Sequence, residues 1–115
     1  MSPTLDPRLF DQLKELETGA PGFLKDLVSQ FLNQAVGQIA VLHETTRAKD
    51  GEGLRLAAHR FKGAAGALAA LALMELVAEL EKAGSARSWT AAEELLPRVD
   101  AEFVRVKAAL EASVA

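Results

Sequence analysis

The 115-residue chain has the length of one domain, and half of its residues are apolar, enough to bury a core without disulfides or metal staples. It has no cysteine, which excludes a disulfide scaffold, a thiolate metal site and a cysteine nucleophile. A net charge of −3 argues against a nucleic-acid surface, and the longest uncharged apolar stretch, Gly63 to Met74, falls far short of the ~20 residues of a membrane span. The N-terminus, Met-Ser-Pro-Thr-Leu-Asp, lacks a basic segment followed by an apolar run, so a cytoplasmic location is expected.

Ala and Leu are abundant, Tyr is absent and no stretch alternates as a strand would, so the fold class is all-α. Asp6-Pro7 predicts a helix start, with Asp as N-cap and Pro in the first turn, and a short helix ending near Gly19. Pro21-Gly22 opens a second helix, in which Leu24, Leu27, Val28, Phe31, Ala35, Ile39 and Leu42 recur at helical spacing until Asp50-Gly51 breaks it. A third runs from about Glu52 to Leu68, a turn follows near Ala69-Ala70, and a fourth carries Leu73, Leu76, Val77 and Leu80 to Gly84.

The last helix is predicted to start around Thr90, with Thr90 and Glu93 as a capping box, and to kink or break at Pro97. Its apolar stripe is Leu95, Leu96, Val99, Phe103, Val106 and Leu110. Long amphipathic helices joined by short turns pack most simply as an antiparallel four-helix bundle, here with a short additional N-terminal helix.

One residue stands outside this packing. With the third helix projected at about 100° per residue from Leu54, Ala58, Phe61, Ala65 and Leu68 form the buried stripe. His59 lands about 140° away, among Arg55, Lys62, Gly63 and Gly66, and Leu56 also points away from the core. Two interior glycines cost a helix about 1 kcal/mol each relative to Ala, and both clear bulk from the histidine's face. An imidazole with a pKa near ~6.5 is largely neutral in the cytoplasm, so a ring nitrogen is free to attack phosphorus. Lys62, one turn on, is placed to offset phosphoryl charge.

If the hairpin turns near residue 70, His59 and Glu81 are equidistant from the turn and lie at one level. Glu81 then reads either as a surface carboxylate or as a partner that fixes the imidazole tautomer. Gly66 reads equally as a docking or a packing glycine, and Met74 and Ala78 border the same surface on the fourth helix. His43 has no companion motif beyond the adjacent Glu44 and reads as structural or solvent-facing.

The run Ala58-His59-Arg60-Phe61-Lys62-Gly63-Ala64-Ala65-Gly66, followed by Leu73, Leu76 and Leu80-Glu81, resembles the signature of the histidine-containing phosphotransfer (HPt) domain family of two-component phosphorelays. The resemblance extends more weakly over the whole chain and implies a single HPt-like domain over residues 1–115. It implies reversible phosphoryl transfer between His59 and a receiver-domain Asp, by a phosphocarrier without its own nucleotide site. The implied partners are response-regulator receiver domains and a sensor (hybrid) histidine kinase. No cofactor is expected on this chain, with Mg²⁺ bound by the receiver, and a monomer is favoured. Ala64 stands where the family often has Ser, and Ala69 where it usually has Gly at the turn.

Two other readings compete. A helical adaptor would keep the fold without carrying phosphate. A di-iron bundle would need Glu-x-x-His pairs, which neither histidine has, and a kinase would need a Gly-rich phosphate loop, which is missing.

Overall fold

The computed structural model describes residues 2–115 and contains five helices and no strand among them: α1 (Pro7–Gly19), α2 (Phe23–Arg47), α3 (Gly51–Ala67), α4 (Leu71–Ala86) and α5 (Trp89–Val114). The four long helices form a ring in which α3 touches α2 and α4, while α5 closes against α4 and α2; α1 lies on α2. This is the antiparallel bundle the periodicity predicts. Asp6 caps α1 by accepting from the Arg8 amide, and Asp50 caps α3 by accepting from Gly53. The segment Asp50-Gly51 thus ends one helix by starting the next.

The core is the predicted stripe. Leu54, Ala58, Phe61 and Ala65 of α3 are fully buried, with Leu42, Leu73, Val77, Leu80, Val99, Val106 and Leu110 from the other helices. Phe61 stacks on Phe31 with ring centroids 6.1 Å apart, and Phe103 closes on Phe31 at 6.3 Å. Phe61 thereby fixes the rotation of α3, and that rotation turns His59 outward.

The α3–α4 connection is tight. Ala69 sits at φ +60°, where a non-glycine residue costs about 1–2 kcal/mol. The Ala69 and Ala70 amides close the turn onto Gly66 and Ala65 carbonyls, a Schellman arrangement with alanine in the place usually taken by glycine. The N-terminal segment holds it from outside: the Asp6 amide donates to the Ala69 carbonyl at 2.8 Å, and the Ala72 amide donates to the Pro3 carbonyl at 3.1 Å.

Three expectations need correction. Helix α4 continues past Gly84 to Ala86, because Arg87 (φ +53°) takes the left-handed position that ends it. Helix α5 begins at Trp89, and no Thr90–Glu93 capping box forms: Ser88 is the cap residue, its amide is taken by the Ala83 carbonyl, and Thr90 is already inside the helix. Of the kink or short break expected at Pro97, the break does not occur: α5 is continuous through the exposed Pro97, with Leu95, Leu96 and Val99 buried around it.

Gly84 instead sets the distance between α3 and α4. A Cβ there would lie 2.9 Å from the Arg55 amide nitrogen and 3.0 Å from the Gly51 carbonyl oxygen, both backbone atoms. Gly84→Ala should therefore force the hairpin apart. Overpacking costs about 1–3 kcal/mol, and against backbone the upper part of that range applies, outweighing the ~1 kcal/mol that alanine gains in helix propensity. A lowered urea midpoint is the expected result, and an unchanged one would show that the helices separate freely.

Candidate functional site on the α3–α4 face

The hairpin brings three side chains together. His59 on α3 keeps 63% of its side-chain surface in solvent, and its Nδ1 lies 3.1 Å from Glu81 Oε2 on α4. Lys62 Nζ donates to the other carboxylate oxygen, Glu81 Oε1, at 2.7 Å. Glu81 is the most enclosed of the three, with 19% of its side chain exposed. The Lys62 ammonium holds its carboxyl below the ordinary glutamate range; partial burial opposes this, and the hydrogen bond from His59 adds to it.

An ionised carboxylate only accepts hydrogen bonds, so the proton of neutral His59 belongs on Nδ1 and the lone pair on Nε2. Among the described residues no side chain hydrogen-bonds Nε2. The arrangement is an oriented, solvent-facing nitrogen nucleophile with a cation held one turn away. The stability Glu81 contributes is present above the ordinary carboxyl pKa and is lost only as pH falls through its depressed folded value.

The rest of the face is bare. A Cβ at Gly63 would meet nothing within 4 Å, and Leu56 is 40% exposed. Met74 and Ala78 are partly buried on α4, and Arg55 lies one turn before His59. Gly66 differs from Gly63: a Cβ there would come 3.1 Å from Met74 Sδ, so it accommodates Met74. The pair between Lys62 and Glu81 escaped sequence reasoning, although the hairpin level that paired Glu81 with His59 also puts Lys62 in its reach. A recess lined by Lys62, Ala78, Glu81, Lys82, Ser85 and Ala86 was missed as well. Also unnoticed was the Glu52–Arg55 pair, for which the i, i+3 spacing was an available signal.

His43 is occupied elsewhere. Its Nε2 lies 3.0 Å from each Asp100 carboxylate oxygen, tying α2 to α5. Among the described residues no group of three or more His, Cys, Asp or Glu side chains is arranged to hold a metal ion, and no helix is long and apolar enough to cross a membrane.

The fold and the site define a helical bundle with an exposed histidine beside a carboxylate on its α3–α4 hairpin. The Hpt domain model matches residues 26–114, and the chain belongs to that family. It is similar to the crystal structure of histidine-containing phosphotransfer protein B (HptB) from Pseudomonas aeruginosa PAO1, with 26% identity, a TM-score of 0.88, and coverage of 98% of this chain and 96% of that one. No curated protein matches the chain.

Proposed function

We propose that His59 accepts a phosphoryl group at Nε2 from the aspartate of a receiver domain, or from a histidine kinase, and passes it to another receiver. The observation that carries this is the Glu81–His59 hydrogen bond, which orients an exposed ring and reserves Nε2 for reaction. In the transfer, the Nε2 lone pair forms the P–N bond while the P–O bond to the receiver's aspartate breaks and its electron pair stays on that carboxylate. The Nδ1 proton need not move. Phosphohistidine then carries a cationic ring, which Glu81 stabilises, and a phosphoryl dianion, which Lys62 helps to balance.

The bare surface around Leu56, Gly63 and Gly66, bordered by Arg55, Met74 and Ala78, is the place where a receiver docks. This chain needs no cofactor of its own for the step; the Mg²⁺ expected in the relay belongs to the receiver, and the chain works in the cytoplasm as a monomer. The test is to mix the protein with a radiolabelled phospho-receiver. Acid-labile, alkali-stable label on this chain is expected. Acid-stable label, or none with every receiver and kinase of the host, would leave a helical adaptor instead.

A further inference from the structure

Two of the cations near His59 are engaged before any phosphate arrives. Lys62 is held by Glu81, and Arg55 is held by Glu52 in a two-pronged contact, Nε to Oε2 at 3.1 Å and Nη2 to Oε1 at 2.5 Å. Two acids and two bases cancel beside a neutral imidazole. We propose that Arg55 is the cation that takes up the phosphoryl dianion on His59, and that Glu52 is its positioning residue, holding Arg55 back in the empty state and releasing it on phosphorylation. This rests on His59 being the phosphoacceptor.

Position supports the exchange. Arg55 precedes His59 by one helical turn, and helical side chains lean toward the N-terminus, so the imidazole overhangs the turn that carries Arg55. Adding a phosphoryl group to neutral His59 leaves a cationic ring with a dianionic substituent, a gain of one negative charge at the site. A cation has to be freed to meet it, and the two pairs are unequal. Glu81 cannot let go easily: it is 19% exposed, and its attraction to the ring grows once the ring is cationic. Glu52 is 64% exposed, so water takes over from Arg55 at little cost. The guanidinium fork that grips a carboxylate also grips phosphate oxygens in two places.

Lys82 is the competing cation. It is exposed, makes no ion pair among the described residues, and lines the recess beside Lys62. It lies on α4, beside Glu81, whereas Arg55 shares α3 with His59.

Phosphoramidate, a small donor that needs no docking surface, provides the test on the whole chain. Phosphorus NMR on phosphorylated His59 should show the phosphoryl pKa raised in Arg55→Gln, because the dianion loses its partner, and unchanged in Lys82→Gln. Glu52→Gln, with Arg55 already free, should label about two- to fivefold faster than wild type, the scale of one exposed ion pair. The double variant should behave as Arg55→Gln alone, since Glu52 acts through Arg55. All of these side chains are outside the core, and circular dichroism checks that each variant folds. An unmoved phosphoryl pKa in Arg55→Gln, a shift in Lys82→Gln instead, or a Glu52→Gln acceleration that survives without Arg55 would each overturn the proposal. Absence of label on wild-type His59 would sink the phosphoacceptor reading itself, a distinct result.

Discussion

His59→Gln is expected to lose all labelling from a phosphorylated receiver while unfolding at nearly the wild-type midpoint. The loss should be complete because nothing else in the chain offers a comparable nitrogen. The only other histidine, His43, has its outer nitrogen Nε2 held by both oxygens of Asp100. Its remaining nitrogen, Nδ1, is the one nearer the backbone and the more crowded. Stability should hold because His59 is largely in solvent and Glu81 keeps Lys62 as a partner; surface substitutions of this kind usually stay within about 0.5 kcal/mol. His43→Gln should label normally and, through the broken α2–α5 tie, be the less stable of the two. Label retained in His59→Gln, or lost in His43→Gln, would move the phosphoacceptor.

Gly63→Leu is expected to separate docking from chemistry. A Cβ there meets nothing within 4 Å, so the branch point of the leucine enters open space, and exchanging an interior helical glycine should add up to about 1 kcal/mol of stability. It projects one turn from His59 into the space a receiver must fill to bring its aspartate within bonding range. Displacing the reacting atoms by about 1 Å is enough to slow such a reaction on the order of a hundredfold, so transfer from a receiver should collapse. Lys62→Ala, which removes a charge but no space, should have the smaller effect. Labelling of Gly63→Leu by phosphoramidate should continue near the wild-type rate. Receiver transfer at full speed in this variant would place the docking face elsewhere. Gly66 is the poorer probe, because Met74 already occupies the space beside it.

The site was legible where helical periodicity decides it. One angle per residue put Phe61 in the core and His59 in water, and a mirror about residue 70 put Glu81 at the level of His59. What stayed hidden depends on side-chain reach and on tertiary closure. Glu81 has two oxygens, and sequence reasoning assigned only one of them; Lys62 takes the other. Gly84 looked like a helix terminator because glycine usually is one, but its missing Cβ serves a backbone contact with α3 that no single-helix pattern encodes. The terminator is Arg87, which adopts a left-handed conformation with its amide bonded to the Gly84 carbonyl. Likewise Thr90-x-x-Glu93 has the spacing of a capping box, yet the tight exit from α4 puts the cap at Ser88, two residues earlier, and the motif falls inside the helix.

The backbone bonds from Pro3 and Asp6 to the α3–α4 turn have a mechanical consequence. Tension applied through the N-terminus does not first peel α1 from the bundle. It loads the amide of Ala72 and the carbonyl of Ala69, at the closed end of the hairpin that holds His59 against Glu81. Anything tethered ahead of residue 2 is therefore coupled in series to the His59–Glu81 pair, whereas a tether at the far end of α5 pulls on a helix that carries no part of it.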